Sequence, residues 1–470
     1  MSGKIENLDT LFYPRNVAIV GASKNPGKLG YHVLKSLTEG GFKGDLFPIN
    51  PGETQLFGAT AYPSVLDVPN EVDVAIVVLP ARAVPDIFRQ CAAKGVKGIV
   101  LITAGFKEIE DETGARLQDE IAGLADEAGI PVIGPNTFGM INLQADLNAS
   151  FTPEFSQVKK GGISLVSQSG GMAHMLAFMA LDENVGFNKI IGVGNRCNIG
   201  FSELLTYLVD DESTQVIAMY MEGTDDPRRL LEAAKEARAK KPTVVYKVGR
   251  SDVSDRASQF HTGSLAGQYE IYQRAFRQAG VLAVTSLEEL LDNAKALASC
   301  PLPQGNKVAV LSGQAGPGMA ACDVCEEKGL VLAQFSPETR QRIESALPPL
   351  ALRTNPVDMG PAWYSPEAIR EVADAAFSDE GVDAVVLCIA YASANVGTVE
   401  SLADVLESWG KKKPVVCCLS APGEIWRDEI WSLEEAGVPN YATPERAAGA
   451  LGNLWRYQTL ARRSLDRGRD

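Results

Sequence analysis

Short hydrophobic runs alternate with stretches of helical periodicity along most of the chain. The runs lie at 17–20, 46–49, 74–78, 98–102, 132–133, 162–166, 216–219, 244–248, 307–311, 384–388 and 415–419. Runs of Val, Ile and Leu without regularly alternating polar residues are typical of strands that helices cover on both faces, as in parallel sheets. The pattern therefore predicts an α/β protein built on parallel sheets.

Three of these runs lead into a glycine-rich turn and then into a helical pattern, and the turns lie at 21–30, 167–171 and 314–318. At about 150 residues per domain, a chain of 470 residues has room for three such units. We expect units at 1–150, 151–300 and 301–470, with boundaries near 148–160 and at the proline-rich segment 300–305. Ligands of open parallel sheets bind beyond the carboxyl ends of the strands, so each turn marks a candidate binding site.

The overall composition argues against several classes of protein. With 45% hydrophobic and 22% charged residues the chain resembles an ordinary globular protein, and its net charge of −15 argues against a nucleic-acid partner. No hydrophobic run approaches the roughly 20 residues of a membrane span, and the amino-terminal sequence does not resemble a signal peptide. The eight cysteines lack metal-ligand spacing, so we expect reduced thiols, no metal site and a cytoplasmic location.

The first turn favours coenzyme A over a nicotinamide dinucleotide. The segment that begins Gly21-Ala22-Ser23 would let backbone N–H groups approach a pyrophosphate at a helix N-terminus, although its spacing is not G-x-G-x-x-G. A nicotinamide site also needs a carboxylate at the end of the second strand, where this chain has Asn50 and Pro51. The missing carboxylate would tolerate a 3′-phosphate. A tight turn without a ligand is the simpler alternative.

The second and third turns are suited to binding an anion, because each places polar side chains and backbone N–H groups at the start of a helix. The residues concerned are Ser167, Gln168, Ser169 and Gly170 in the second turn, and Gln314, Ala315 and Gly316 in the third. Ser169 has two alternative roles. It could be an ordinary N-cap residue, or the nucleophile of a hydrolase with His261 as its base. The nucleophile elbow G-x-S-x-G, however, requires glycine at position 167.

His261 and Glu222 are the candidate catalytic residues. His261 is one of three histidines and lies in a polar segment between a predicted strand and a predicted helix. An imidazole there suits catalysis near neutral pH, and a surface-loop histidine is the alternative. Glu222 follows the apolar run 217–221, so we expect it at the carboxyl edge of the sheet. A solvated loop carboxylate is the alternative for Glu222.

An ordered series of motifs resembles the acyl-CoA synthetases that form a nucleoside triphosphate from the diphosphate, which are relatives of succinyl-CoA synthetase. The series is Gly21-Ala-Ser, Leu101-Ile-Thr-Ala-Gly105-Phe106, Gly134-Pro-Asn136-Thr137-x-Gly139, Ser167-Gln-Ser-Gly170, Tyr220-Met-Glu222-Gly223, His261-Thr-Gly-Ser-Leu-Ala-Gly267 and Asn355-Pro-Val-Asp358. The order of domains is similar to that of the α subunit of ADP-forming acetate–CoA ligase. The resemblance implies a Rossmann-like CoA-binding domain followed by two flavodoxin-like domains of the succinyl-CoA synthetase type.

The same resemblance implies roles for individual residues. His261 would be transiently phosphorylated, Glu222 would hold its imidazole, and the helix N-termini at the second and third turns would cradle the phosphoryl group. The residues expected to contact coenzyme A are Gly21, Ala22, Ser23, Asn50, Pro51, Leu79, Pro80, Thr103, Ala104, Gly105, Pro135 and Asn136. A CoA-binding regulatory protein without turnover is the alternative, but it would have no use for His261 together with Glu222.

The resemblance also implies a partner. No segment resembles an ATP-grasp domain and no G-x-x-x-x-G-K-[ST] loop is present. We therefore expect ATP or ADP with Mg to bind on an ATP-grasp β subunit, in an α2β2 assembly that acts on phosphate and on a small carboxylic acid or its acyl-CoA.

Two segments depart from the family pattern. Thr137 replaces a cysteine that many relatives carry, and the segment 194–198 lacks the usual aspartate. Arg196, in the second of these segments, could pair with an acidic group of the substrate. A surface arginine is the simpler alternative.

Overall fold

The computed structural model describes residues 8–109, 111–251, 253–254 and 269–466. The chain forms two compact units, Met1–Leu287 and Glu288–Asp470. In the described residues, the first unit contains two large sheets and a small ribbon, and the second contains a third large sheet. The predicted α/β architecture with parallel sheets is confirmed.

The amino-terminal part of the first unit is an open parallel sheet. Its strands and the ribbon are β1 (Asn16–Val20), β2 (Asp45–Ile49), β3 (Gln55–Leu56), β4 (Ala59–Thr60), β5 (Val74–Val77), β6 (Gly98–Leu101) and β7 (Val132–Ile133). The helices are α1 (Leu8–Phe12), α2 (Leu29–Glu39), α3 (Val84–Lys94) and α4 (Glu112–Glu127). The strand order is β2-β1-β5-β6-β7, and every pairing along it is parallel.

The second sheet combines parallel strands with an antiparallel edge. Its strands are β8 (Gly139–Asn142), β9 (Leu147–Ser150), β10 (Lys160–Ser167), β11 (Phe187–Gly192), β12 (Val216–Met221), β13 (Thr243–Lys247) and β14 (Leu282–Val284). The helices are α5 (Gly170–Asp182), α6 (Phe201–Asp210), α7 (Pro227–Ala237) and α8 (Tyr269–Ala279). The order is β14-β13-β12-β10-β11-β8-β9, and the pairings that involve β8 and β9 are antiparallel. The chain therefore leaves the first sheet after β7 and enters the second at β8.

The second unit contains the third sheet. Its strands are β15 (Lys307–Ser312), β16 (Val331–Leu332), β17 (Val357–Asp358), β18 (Ala384–Ala390) and β19 (Val415–Ser420). The helices are α9 (Leu287–Ser299), which begins at the division, α10 (Ala315–Glu327), α11 (Pro337–Ala346), α12 (Pro366–Ser378), α13 (Thr398–Gly410), α14 (Arg427–Glu435) and α15 (Pro444–Asp466). The order is β16-β15-β18-β19, with β17 paired to the end of β15, and all pairings are parallel.

Burial on both faces explains the continuous apolar runs. In β1, Val17 and Ile19 pack into one hydrophobic core while Ala18 and Val20 pack into another. Successive side chains of a strand point to opposite faces, so a sheet with a core on each face needs an apolar residue at every position. Among the described residues, no helix has both the length and the apolar composition needed to cross a membrane.

Candidate functional site

Each glycine-rich turn follows the strand at which its sheet reverses its strand order. β1 lies between β2 and β5, β10 lies between β11 and β12, and β15 lies between β16 and β18. The loops on the two sides of such a strand diverge, which opens a crevice for ligands beyond the carboxyl ends of the strands. The three turns found in the sequence therefore occupy the expected binding positions of their sheets.

The second turn is held in shape by its serine hydroxyls. Ser167 ends β10, and its Oγ donates to the carbonyl oxygen of Ser169 at 2.7 Å. Ser169 is the N-cap residue of α5, and its Oγ accepts a hydrogen bond from the backbone N–H of Met172 at 3.4 Å. The N-cap role predicted as an alternative for Ser169 is confirmed. A capped helix N-terminus still has further backbone N–H groups that a ligand can accept from.

Gln168 connects the second turn to the end of β12. Its side chain is buried, and its Oε1 accepts hydrogen bonds from the backbone N–H groups of Glu222 at 2.9 Å and Gly223 at 3.2 Å. Its Nε2 has no hydrogen-bond partner in the part of the chain that the structure describes. Leaving a buried donor unsatisfied costs about 1–3 kcal/mol, so this amide is well suited to donate to a bound anion.

The third turn repeats the geometry of the second. Ser312 ends β15, and its Oγ donates to the carbonyl oxygen of Gln314 at 2.5 Å. The backbone N–H of Gly313 donates to the carbonyl oxygen of Cys388 in the neighbouring strand at 2.9 Å. In the second turn, the backbone N–H of Gln168 donates in the same way to the carbonyl oxygen of Tyr220 at 3.1 Å. Both turns start their helices three residues after the terminal serine of the strand.

The two turns differ in what the neighbouring strand presents. Glu222 and Ala390 occupy equivalent positions, each two residues beyond the register partner of Ser167 or Ser312. The side chain of Gln314 is bonded to the backbone of Ala390, with Oε1 accepting from its N–H at 3.3 Å and Nε2 donating to its carbonyl at 3.4 Å. The second turn therefore has an acidic side chain at a position where the third has a methyl group.

Glu222 is buried at the carboxyl edge of the second sheet. It directly follows β12 and is only 7% exposed, so the alternative of a solvated loop carboxylate is wrong. Burial first, and then the charge of Glu222, raise the pKa of Tyr220 above its ordinary value, which keeps that hydroxyl protonated. His261 lies outside the described residues, so its pairing with Glu222 stays a prediction.

The first turn depends on two glycines. Gly21 has a φ of +97°, a left-handed conformation that favours glycine. A Cβ on Gly30, in the first turn of α2, would lie 2.0 Å from the carbonyl oxygen of Gly21. The helix therefore starts directly against the turn, which is how a helix N-terminus is brought close to a phosphate.

The predicted coenzyme A contacts after β2, β5, β6 and β7 are joined by hydrogen bonds. Asn50 Nδ2 donates to the carbonyl oxygen of Ala22 at 2.8 Å. Thr103 Oγ1 donates to the carbonyl oxygen of Leu79 at 2.7 Å. The backbone N–H of Asn136 donates to the carbonyl oxygen of Thr103 at 2.8 Å. The structure thus brings the predicted contact residues to one edge of the first sheet, in two bonded groups. Their contact with a ligand stays a prediction.

Sequence analysis missed a buried lysine at the edge of the second sheet. Lys247 ends β13, is 1% exposed, and pairs in register with Met221, the residue before Glu222. Its Nζ lies 4.9 Å from the ring centroid of Tyr272 in α8. A lysine within the apolar run 244–248 was the available signal, since buried lysines are rare without a specific partner. The edge that carries Glu222 thus also carries a basic side chain.

The simpler alternative for Arg196, a surface arginine, is wrong. Its side chain is 5% exposed, and its Nη2 lies 3.0 Å from Oδ2 of Asp225. A substrate carboxylate at Arg196 would therefore have to compete with an existing ion pair.

The other histidines have structural contacts. His32 Nε2 lies 2.8 Å from the carbonyl oxygen of Pro26, and His174 Nε2 lies 2.7 Å from Thr152 Oγ1. The ring of His174 also packs against Phe155, with the ring centroids 4.6 Å apart.

Among the described residues no group of three or more His, Cys, Asp or Glu side chains could hold a metal ion. All eight cysteines lie among these residues, and none forms a disulfide.

Comparisons with protein families match two segments of the chain. Residues 15–142 match the family described as a CoA binding domain. Residues 160–297 match the family described as a succinyl-CoA ligase like flavodoxin domain. The first segment contains the first glycine-rich turn, and the second contains the second turn with Glu222.

Comparisons with individual proteins extend over nearly the whole chain. The chain is 38% identical to acetate–CoA ligase (ADP-forming) II subunit alpha of Pyrococcus furiosus, over 94% of this chain and 96% of that protein. It is 36% identical to the ADP-forming acetate–CoA ligase of Methanocaldococcus jannaschii, over 98% of this chain but only 64% of that longer protein. A solved structure of the dinucleotide-forming acetyl-coenzyme A synthetase 1 of Candidatus Korarchaeum cryptofilum, in complex with phosphate and ADP, matches with a TM-score of 0.89 and 34% identity, over 98% of both chains.

Proposed function

Because the chain belongs to the family of α subunits of ADP-forming acetate–CoA ligases, and so to the acid–thiol ligases, we propose that it performs the acyl-CoA half of that reaction. An acyl-CoA and phosphate would give a free carboxylate, free CoA and a phosphohistidine at His261. A partner subunit would then move the phosphoryl group onto ADP. In reverse, the same steps would make acyl-CoA from a carboxylate, CoA and ATP.

The proposed chemistry has two steps on this chain. In the first, a phosphate oxygen attacks the thioester carbonyl carbon, a C–O bond forms, the C–S bond breaks, and CoA leaves as a thiolate that takes up a proton. In the second, an unprotonated imidazole nitrogen of His261 attacks the phosphorus of the acyl phosphate, which releases the carboxylate. Glu222 would accept the other ring N–H, fix the tautomer and stabilise the developing positive charge.

The observation that carries the proposal is the position of Gln168. One side-chain atom holds the backbone of Glu222 and Gly223, and the other is a buried donor without a partner among the described residues, at the start of α5. A donor of this kind, next to a buried carboxylate and a helix N-terminus, is what a site needs to bind phosphate close to the group that orients the histidine. The N-terminus of α10, at Gln314, Ala315 and Gly316, would receive the phosphoryl group in the same way.

Coenzyme A would bind at the edge of the first sheet, with its pyrophosphate at Gly21, Ala22 and Ser23. The match of residues 15–142 to a CoA binding domain supports this assignment. The absence of a carboxylate at Asn50 also supports it, since an acidic residue there would repel a 3′-phosphate.

A partner subunit would supply the nucleotide site. Two relatives that match this chain over nearly their whole length are designated α subunits, whereas the longer Methanocaldococcus jannaschii protein has about a third of its length without a counterpart here. We infer an ATP-grasp β subunit that binds ADP or ATP with Mg, in an α2β2 assembly. The lack of disulfides among the eight cysteines, all of which lie in the described part of the chain, supports a cytoplasmic location.

A phosphorylation assay on the purified chain tests the proposal. The chain is incubated with acetyl-CoA and radiolabelled inorganic phosphate, and acid-labile, base-stable label on the protein is counted and mapped to a peptide. We expect up to one phosphoryl group per chain, at His261, and none in His261→Ala. Glu222→Gln should slow labelling by about 10²-fold or more, because the tautomer is no longer held by a charge.

The controls separate phosphohistidine from other labelling. His32→Asn removes a histidine outside the proposed site and should reach the same final stoichiometry as the unaltered chain. Reactions without acetyl-CoA should leave the protein unlabelled. Equal acid-labile label in the unaltered chain and in His261→Ala would overturn the proposal.

A further inference from the structure

A hydrogen-bonded cluster, buried at its centre, connects three loops of the first unit. The cluster consists of Asn195, Glu108, Gln118 and Asn136, and Asn195 lies at its centre. Asn195 Nδ2 donates to Glu108 Oε2 at 2.5 Å and to Gln118 Oε1 at 3.1 Å. Its Oδ1 accepts from Asn136 Nδ2 at 3.3 Å. Asn195 and Gln118 are 6% and 7% exposed, so the bond between them forms away from bulk water, where a hydrogen bond contributes more than at the surface. Glu108 and Asn136 are partly buried.

Glu108 connects the cluster to the loop that follows β6. Its Oε1 accepts hydrogen bonds from the backbone N–H groups of Gly105 and Phe106, the latter at 3.2 Å. Glu108 accepts each of these hydrogen bonds through a carboxylate oxygen, and hydrogen bonds with one ionised partner are the strongest. Glu108 therefore stabilises the loop that contains the predicted coenzyme A contacts Thr103, Ala104 and Gly105.

Asn195 connects the same cluster to the other side of the proposed active site. Its own N–H donates to the carbonyl oxygen of Pro135 at 2.9 Å, in the loop with the predicted contacts Pro135 and Asn136. Two residues earlier, the N–H of Val193 donates to the carbonyl oxygen of Ser167 at 2.9 Å, at the start of the second turn. The segment 193–195 thus bonds to a predicted coenzyme A loop at one end and to the predicted phosphate turn at the other.

We propose that Asn195 and Glu108 are positioning residues that hold the two coenzyme A loops, after β6 and after β7, in fixed register with the phosphate turn. Neither side chain needs to touch the reacting atoms. The reaction requires the thioester carbonyl to lie within about 3–3.5 Å of a phosphate oxygen, and the cluster fixes the distance between the two parts of the protein that hold these groups. The assignment rests on the proposed function for the identity of the ligand.

The chemistry of the pair allows an exchange test. In Glu108→Gln two amides face each other, and in Asn195→Asp two carboxylates do, so each single variant loses the charge-assisted bond. The double variant, Glu108→Gln with Asn195→Asp, exchanges the amide and the carboxylate. The oxygen of the new amide can still accept from the N–H groups of Gly105 and Phe106, while its nitrogen donates to the new carboxylate. The double variant therefore restores the bond between positions 108 and 195 with its direction reversed. The amide of Gln118, whose Oε1 accepts from Asn195 Nδ2 in the unaltered chain, has to turn so that its Nε2 donates to the new carboxylate.

Isothermal titration of the full chain with coenzyme A measures the effect directly. We expect each single variant to raise the dissociation constant for coenzyme A about tenfold, the loss expected for one hydrogen bond to a charged group. The double variant should return to within about threefold of the unaltered chain. Glu120→Gln is the matched control. Glu120 lies in the same helix as Gln118, and the substitution removes its exposed ion pair with Arg89, so this variant should bind coenzyme A normally.

Coenzyme A binding, and not the melting temperature, distinguishes positioning from plain stabilisation. Unchanged binding of coenzyme A by both single variants would overturn the proposal, whatever their melting temperatures. A double variant that folds but binds no better than the single variants would overturn it as well, and this arm remains usable if a single variant does not fold. The titration needs neither turnover nor a partner. Restored binding in the double variant without any label on His261 would therefore reject the proposed function and leave this assignment standing.

Discussion

Lys189 shows how a polar residue is accommodated inside a sheet. It lies in β11 with no exposed side-chain surface, and its Nζ lies 2.7 Å from Asp211 Oδ2 and 3.2 Å from the hydroxyl of Tyr13. Burial alone would raise the pKa of Asp211, but hydrogen bonds from Lys189, Thr214 and Ser213 outweigh it and lower that pKa to about 2. Asp211 is therefore ionised at neutral pH, and its buried carboxylate forms an ion pair with Lys189.

We expect Lys189→Met to lower the free energy of unfolding by about 3–5 kcal/mol, because it leaves the charge of Asp211 buried without its partner. Urea denaturation of the full chain at neutral pH measures the change. Lys160→Met is the matched control, because Lys160 forms an exposed ion pair with Asp146. Its loss should cost less than about 1 kcal/mol. A similar effect of both substitutions would show that the buried pair does not stabilise the first unit.

At the scale of single elements, α2 depends on how closely it approaches the turn after β1. A Cβ on Gly30 would meet the backbone of Gly21 at 2.0 Å, well inside any contact that atoms tolerate. The added Cβ is fixed to the backbone of the helix and the atom that it meets is a backbone oxygen, so no flexible side chain can move to relieve the contact. Either the helix or the turn must shift, and the turn contains the residues predicted to bind the pyrophosphate.

Gly30→Ala should therefore weaken coenzyme A binding about tenfold or more, because the helix N-terminus is moved away from the pyrophosphate. Titration calorimetry with coenzyme A gives the affinity, and circular dichroism checks that the fold is kept. Gly123→Ala in α4 is the control, because a Cβ there meets nothing within 4 Å. It should leave binding unchanged and stabilise the chain by up to about 1 kcal/mol. Equal binding by both variants would contradict the role given to the close approach.

Sequence patterns predicted the strands that lie between two apolar cores and missed those that do not. The runs at 17–20, 74–78 and 307–311 correspond to β1, β5 and β15. β11 was missed because Asn188 and Lys189 interrupt its apolar run. Their partners Asp211 and Thr214 lie more than 20 residues further along the chain, where a local pattern cannot find them. The antiparallel strands β8 and β9 were missed because the polar residues Asn142 and Asn148 interrupt their short apolar stretches, although the two strands pair locally, with Asn142 opposite Leu147.

The candidate site was predictable only as far as its parts are local. The turns could be found because glycine, serine and an apolar strand stand next to one another in the sequence. The role of Gln168 could not, because it depends on a contact with residues 54 and 55 positions away. Asn195 was noted only as part of a divergent segment, because its bonds cross from the second sheet to the loops of the first.

At the scale of the whole molecule, the turns proposed to hold phosphate are divided between the two units. The turn at Ser167–Gly170 belongs to Met1–Leu287 and the turn at Gln314–Gly316 to Glu288–Asp470. Each is followed by a helix of 13 residues, and in each case the strand before the helix ends in a serine whose Oγ donates to the carbonyl oxygen two residues on. The chain thus builds the same turn twice, with Glu222 beside the first copy and Ala390 beside the second.

We predict that the 470-residue chain keeps a phosphoryl group on His261 but does not transfer it to ADP without a partner subunit. Chain labelled at His261 and freed of acetyl-CoA should keep its label when ADP and Mg are added, because the transfer needs the nucleotide site of the proposed ATP-grasp partner. Adding a compatible β subunit should move the label to ATP within minutes, measured by loss of protein-bound label and by luciferase. His261→Ala with the same β subunit is the control and should make no ATP. ATP formation by the chain alone, at the rate seen with the β subunit, would contradict the division of the reaction between two subunits.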